Sequence, residues 1–479
     1  MKHSILLLVL LLPGSLLGQS GVGLPAAPVP ARTLVAMGLP KAQSFREPSA
    51  GEDEPQLVVD ESSGVVSITL REAERLALKN NPRITASRLV ALAAGQVTRE
   101  TRADELPQIS GAITAEKAED ASRIGAGALT DSRLYSHAGT GATFSELITD
   151  FGHTRNLVAS NKLQQKAQDQ TALATEQDVL LATDQAFYRL LNAQALLDVA
   201  KATVAARGSV QQLTSALTRS ALKSDLDLNV ASADLSQAQL LQLDAENAVA
   251  SASATLAAVL AAPADTTYRA VEDNAGAQPP PPPLAGSSAA MNASALAQRP
   301  DLQALRLEAE ADQKFAAAQR LQRLPTISAL GVGGFTPVSP DGVFVPHWYA
   351  AGGVNLTVPV FTGFRIDAQA QEARLRQKAA EERAQDLSLT IGRDVRIAIL
   401  NAQTAFRRIA VAEQFRQQTA QALGLAQTRY KLGLSSIVEL SQAQLQSTQA
   451  VVAAVNARYD YLLSLRSLDY ARGQLAPQI

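Results

Sequence analysis

The chain carries nearly the same text twice, at a spacing that hardly drifts. Asn81-Pro82 and Leu106-Pro107 in the first half answer Arg299-Pro300 and Leu324-Pro325 in the second, an offset of 218. In each half the two prolines stand 25 residues apart. Further along, Lys162 to Ala167 (KLQQKA) answers Arg374 to Ala379 (RLRQKA) at an offset of 212, which holds through Ala193/Ala405, Val199/Val411, Asp227/Glu439 and Ala231/Ala443. The whole six-residue change (218 − 212) falls between Pro107 and Asp150. Each half therefore has stretches of fixed length and one segment free to vary. Rigid periods of this size mark a duplicated structural unit.

Composition narrows what that unit is. Aromatic residues are only 4% of the 479, while Ala, Gln, Leu and Arg dominate. Such a mix favours long helices with small-residue seams over an aromatic-filled core. The net charge of −2 gives no basic footprint for nucleic acid. With no cysteine, disulfides, thiol chemistry and a lipidated N-terminal Cys are excluded. The four histidines, His3, His137, His153 and His347, have no metal-ligand spacing, and there is no nucleophile motif or phosphate loop. No cofactor, metal or enzymatic activity is expected.

The N-terminus reads as a secretory signal over residues 1–20, with Lys2 and His3 before an apolar Ile5-to-Leu12 stretch and a small-residue cleavage site. Residues 21–65, rich in Pro, Ala, Gly and charge, read as a flexible leader. The first repeat spans 66–262. It opens on Thr69 as N-cap with Glu72 completing a capping box. A break at Asn81-Pro82 follows, then a β-hairpin over 108–150, a long helix over 152–219 and a return helix over 226–260. Residues 263–288, with prolines from Pro279 to Pro283, read as a stiff connector. The second repeat spans 289–475, with a hairpin over 326–362, a long helix over 365–432 and a return helix over 437–474. The strands are read from alternation, clearest at Val354, Leu356, Val358 and Val360. The helices are read from proline-free stretches with seven-residue apolar spacing, as in Leu173, Leu180 and Phe187. The return helices reach about half-way back along the long ones, and the helices opening at Pro82 and Pro300 supply much of the rest.

Four strands with no second sheet leave open edges that must be paired or covered. Nine of the 20 aromatic residues fall in the hairpin regions and their flanks, among them Tyr135, Phe144, Phe335, Trp348, Tyr349 and Phe361. Aromatic residues gathered at strand ends are the mark of a barrel at membrane interfaces; capping of a small soluble sheet is the other reading.

Five stretches together carry a family resemblance: Leu70 to Pro82 (LREAERLALKNNP), Ala297 to Leu302 (AQRPDL), the two Leu-Pro pairs, Pro359 to Gly363 (PVFTG) and Tyr430 to Ala443 (YKLGLSSIVELSQA). In order, duplication and spacing they resemble the TolC-type outer-membrane efflux proteins over roughly residues 66–475. The resemblance implies a mainly helical protomer with a small β part. Three protomers would pool their strands into a 12-stranded β-barrel continued by a 12-helix α-barrel in the periplasm. It implies an outer-membrane exit duct of a tripartite efflux or type I secretion system, with a periplasmic adaptor, an inner-membrane pump and outer-membrane lipids as partners. The alternative is a periplasmic coiled-coil scaffold or adaptor that never enters the membrane.

The resemblance also places a gate at the helical tips. Asp227 and Glu439 would face the pore entrance, although stabilisation of a helix N-terminus accounts for them as well. Gln442 stands where relatives often carry a second acid. Tyr430 matches a position that ties neighbouring coiled coils together. Arg219 and Lys431 would serve as partners for the acids or for an adaptor, although exposed charge at a helix C-terminus explains them equally well. Gly433 is the expected turn glycine, whereas Ala221 in the first repeat either avoids positive φ or is strained.

Overall fold

Thr69 starts the helical part of the chain. The Glu72 N–H donates to its hydroxyl at 3.4 Å, and its own N–H donates to the Glu72 carboxylate at 2.9 Å, a complete capping box. Helix α1 (Leu70–Asn80) then runs until Asn81, which is held extended at φ −69°, ψ 119° before Pro82. Asn81 caps α2 (Pro82–Ala103) by accepting from the Arg83 N–H at 3.0 Å, and its amide donates to the Val259 carbonyl at 2.8 Å. The structure, a computed structural model, describes residues 59–60, 65–117, 137–272, 287–336 and 347–477. The expected signal peptide, most of the leader, Tyr135 and the Pro279-to-Pro283 run lie outside the described residues.

The duplication is literal in helix lengths. Helices α3 (His153–Arg219) and α7 (Arg365–Lys431) each have 67 residues. Helices α4 (Asp225–Val259) and α8 (Ile437–Ala471) each have 35. Helices α2 and α6 (Pro300–Leu321) each have 22, and α1 and α5 (Ser288–Gln298) each have 11. At about 1.5 Å per residue, α3 and α7 are about 100 Å long. The shorter helices share their length: α2 and α4 both pack on α3, while α6 and α8 both pack between α3 and α7. The packing order across the layer is thus α2, α3, α6, α7 near the strands and α4, α3, α8, α7 towards the tips. Alanines make the seams, among them Ala167, Ala186, Ala200, Ala370, Ala402 and Ala426, all buried. Small side chains let neighbouring backbones approach closely.

The strands form two sheets. Strands β3 (Gln108–Glu116), β4 (His137–Thr149), β6 (Thr326–Phe335) and β7 (Trp348–Thr357) pair in that order, all antiparallel. The second sheet was not expected. Strand β1 (Val59–Asp60) lies in the segment read as leader, and β5 (Thr267–Ala270) in the segment read as connector; β2 (Val65–Ile68) pairs with both. Burial of Ile68, Tyr268 and Ala270 against the core explains the added order. A four-residue strand with two inward positions gives too short a period to recognise in sequence.

A buried charge cluster joins the two repeats. The Arg466 guanidinium on α8 donates to Glu74 of α1 at 2.7 Å and to Asp184 of α3 at 2.5 Å, and both acids are fully buried. Burial pushes the Asp184 carboxyl up to about 7 from its usual 3.8, with Arg466 opposing the rise and Glu74 adding to it. Burial likewise raises Tyr188, one turn on, to about 12.

Removing one member of such a cluster leaves uncompensated buried charge. Arg466→Met should therefore destabilise the fold by about 3–5 kcal/mol, read from denaturant or thermal unfolding. A raised carboxyl pKa stabilises the folded state at low pH, and that contribution is lost as pH rises through the folded value. Wild-type stability should thus fall between about pH 4 and pH 7 relative to Asp184→Asn, which removes the titration.

Candidate functional site: the sheet faces and the helical tip

Cross-strand register sorts the four-stranded sheet into two chemically different faces, because directly paired residues share a face. One face holds Ile109, Ile113, Phe144, Ile327, Phe335, Trp348, Val354 and Leu356, with Thr140 and Glu146 among them. The other holds Gln108, Ser110, Thr114, Thr143, Ser145, Ser328, Asn355 and Thr357, with Leu330 and Val332 among them. The Ser110 and Thr143 hydroxyls lie 2.6 Å apart on this polar face. The apolar face is uncovered in the protomer: Ile113 is 88% exposed and Val354 69%. Among the described residues, β3 and β7 each lack a partner on their outer edge.

The aromatic residues distribute less simply than their sequence positions suggest. Phe335 and Trp348 pair at the loop end of the apolar face. Phe361 and Phe364 stack edge-on, with ring centroids 5.8 Å apart, just before the long helix at the opposite end. Phe144 is not at a strand end. It pairs with Ile109 and Gly331 within the sheet and covers Gly331. Tyr349 points to the polar face, where its ring lies across Gly141 and Gly334; a Cβ on Gly334 would meet the tyrosine hydroxyl at 2.5 Å. These two side chains lie over three of the sheet's glycines.

At the far end each long helix turns back through five residues. Both turns place their second residue in the left-handed region, Ala221 at φ 58° and Gly433 at φ 74°. Both close with matching hydrogen bonds, Leu222 N–H to the Leu217 carbonyl at 2.9 Å and Leu434 N–H to the Arg429 carbonyl at 2.8 Å. The first turn is therefore strained, since an alanine there meets a steric penalty that glycine does not.

The tip acids sit at helix N-termini. Ser224 caps α4 by accepting from the Asp227 N–H at 3.2 Å, and its own N–H donates to the Asp227 carboxylate at 3.4 Å. Ser436 caps α8 by accepting from the Glu439 N–H at 3.3 Å. The Glu439 carboxylate accepts from Arg429 at 3.1 Å. Arg219 and Lys431 are exposed at the helix C-termini, and Arg429, two residues before Lys431, makes the ion pair to Glu439. Gln442 is exposed. Tyr430 is only 1% exposed, its hydroxyl 2.9 Å from that of Thr214, with the Lys223 ammonium 4.8 Å from its ring centroid. It thus ties α7 to α3 within one chain. Thr214, Lys223 and Arg429 carry no sequence signal of their own; only the fold brings them to the two tips.

The family model described as "Outer membrane efflux protein" matches residues 74–262 and 292–474, one block per repeat. The chain belongs to the outer membrane efflux protein family. Among its relatives, outer membrane protein TolC of Vibrio cholerae is 24% identical over 428 residues, covering 87% of this chain and 93% of the relative. Outer membrane protein OprJ of Pseudomonas aeruginosa is 24% identical over 419 residues, covering 87% and 86%. The fold is similar to that of the Campylobacter jejuni CmeC outer membrane channel, with a TM-score of 0.74 at 21% identity over 85% of this chain and 86% of that one. The efflux-protein family is one of channels and transport, and the duplicated fold with its four-stranded sheet is the family's. No helix among the described residues is long and apolar enough to cross a membrane.

The unequal turns give a direct test. Ala221→Gly should stabilise the protein by about 1 kcal/mol, and Gly433→Ala should destabilise it by about 1–2 kcal/mol. Thermal unfolding of the two variants side by side would read both.

Proposed function

We propose that the protein is the outer-membrane exit duct of a tripartite efflux or type I secretion system, conducting substrates passively from an inner-membrane pump. The observation that carries the reading is the sheet with one mainly apolar and one mainly polar face, uncovered and with both edges unpaired among the described residues. Apolar residues outward to lipid and polar residues inward to water is the arrangement of a transmembrane β-barrel. Four strands are too few to close one, since such barrels begin at about eight. Three copies, as the family resemblance implies, supply twelve.

The helices support the same closure. Strand β3 follows α2 and β7 precedes α7, so the open sheet edges continue into the two outermost helices of the layer. Those helices carry the exposed apolar side chains expected of unfinished packing: Leu89, Leu92 and Val97 on α2, and Leu389, Leu400 and Val411 on α7. One flank of one copy meets the opposite flank of the next, a head-to-tail interface that closes into a ring. Phe335 and Trp348 would then sit at the outer lipid–water boundary and Phe361 at the periplasmic one.

The tips form the periplasmic entrance in this reading. Asp227 and Glu439 favour cations there, Tyr430 with Thr214 holds the paired coils, and Arg219, Lys431 and the Gly433 turn lie where a periplasmic adaptor docks. Pumping energy comes from the inner-membrane partner, and opening requires the tip helices to part.

Substitution on the two sheet faces separates the duct from a soluble scaffold. Ile113→Arg should prevent stable membrane assembly, at a cost of about 2–4 kcal/mol per copy, while Ser110→Arg on the polar face should assemble. Fractionation of the mature wild-type protein should recover it in the outer membrane; recovery in the soluble periplasm would sink the reading. In planar bilayers, Asp227→Ala with Glu439→Ala should reduce cation preference, and unchanged selectivity would remove these acids from the pore.

A further inference from the structure

The mainly polar face of the four-stranded sheet carries one apolar patch. Leu330 and Val332 stand two positions apart on β6 and turn their side chains to this face, where they are 47% and 37% exposed. Their cross-strand neighbours are small: Val332 stands between Thr143 and Ala351, and Leu330 between Ser145 and Gly353. These six residues line a shallow hollow of about 460 Å³. Its floor is the row between them, Phe144, Gly331 and Gly352, of which Phe144 turns its side chain to the apolar face. The hollow therefore opens on the polar face, and cross-strand register fixes that side.

Tyr349 extends the patch towards the loop end. It stands two residues from Ala351 on β7, about 7 Å along the strand, faces the same side and is 43% exposed. Its ring lies across Gly334 of β6 and Gly141 of β4, where a Cβ would meet the hydroxyl at 2.5 Å and 2.7 Å. Glycine at both positions lets the ring rest against the sheet. No acid or base occurs on this face over the four rows from Tyr349 to Asn355. Polarity there comes from neutral groups, such as the Ser110 and Thr143 hydroxyls 2.6 Å apart and the hydroxyl of Ser145. A hydrated ion finds no countercharge on such a wall, whereas an aromatic ring or alkyl chain sheds water by resting on it.

We infer that this hollow is a contact site for the apolar part of uncharged or amphiphilic organic molecules passing through the barrel. Leu330, Val332 and the Tyr349 ring supply its apolar surface, and the Thr143 and Ser145 hydroxyls hydrogen-bond the polar part of the solute. The inference rests on the duct proposed above, in which this face lines the water-filled interior, and adds a substrate class to it. The hollow is open on one side, so it touches a solute without enclosing it. Weak contact of this kind lets the solute leave again, which conduction requires. Three copies would set three such hollows at one height in the membrane section, a helix length away from the charged tips.

The test uses the purified full-length protein in planar bilayers, with phenyl β-glucoside as probe and methyl β-glucoside as control. Both are uncharged, so the tip acids hold neither, and they differ only in the ring. Phenyl β-glucoside should block KCl current at concentrations where methyl β-glucoside does not. Leu330→Ser with Val332→Thr should raise its half-blocking concentration about fivefold or more, each protein read against its own KCl conductance. Ser328→Leu, which lengthens the apolar stripe on β6 by one row, should lower it about twofold; this variant decides alone if the double variant fails to assemble. Equal block by the two glucosides in the wild type, or block unchanged by either set of substitutions, would overturn the site while the duct stands. Recovery of the wild-type protein in the soluble periplasm would overturn the duct and the site with it.

Discussion

Unpaired backbone at the outer edges of β3 and β7 is the constraint from which the rest of this protein follows. Each edge presents a row of N–H and C=O groups that in lipid has no water to turn to. The sheet cannot curl to join its own edges with four strands, and no described element covers them. In the proposed barrel the opposite edge of a second copy would supply the missing partners. The helix layer below has the same need at the same two flanks, since α2 and α4 end it on one side and α7 on the other. Sheet and helices are thus incomplete in register, and one closure would finish both.

Such a closure would account for the fixed spacing of the two repeats. In the ring proposed above each helix would meet its neighbour at the same height over about 100 Å, and an inserted residue in α3 or α7 would shift the seam alanines beyond it off their counterparts. The hairpin loops beyond the strands carry no such obligation, and the six-residue difference between the repeats falls in the hairpin segment of the first. The local signals were legible for equally local reasons. The Thr69/Glu72 capping box, the break at Asn81-Pro82 and the paired tip turns each depend on residues a few positions apart.

What the sequence did not disclose depends on distance along the chain. Glu74, Asp184 and Arg466 come from three helices, with 392 positions between the first and last. Nothing near Arg466 marks it as the group that holds two buried carboxylates. Thr214 and Tyr430 are likewise 216 positions apart. The small sheet of β1, β2 and β5 failed to register because its strands are two to four residues long. The aromatic reading went astray at Phe144, which lies within the sheet, while Tyr349 stands at a strand end but on the polar face. Cross-strand register decides both height and face, and it sets Phe144 over one glycine and Tyr349 over two others.

Duplication also explains why equal helices have come to differ. Helices α4 and α8 occupy matching places in their repeats and have the same length. Helix α8 is packed on both sides, by α3 and α7, and buries large residues such as Leu440, Tyr461 and Leu468. Helix α4 is packed mainly on α3; its largest buried side chain is Leu256, and Leu240 and Leu243 are exposed. The charges diverge in the same sense. Helix α8 carries both signs, with Arg458 and Arg466 used in pairs inside the chain, whereas α4 is wholly acidic. A helix with neighbours on both sides must balance charge within its own fold. Helix α4, packed mainly on one side, is free to hold an excess of one sign.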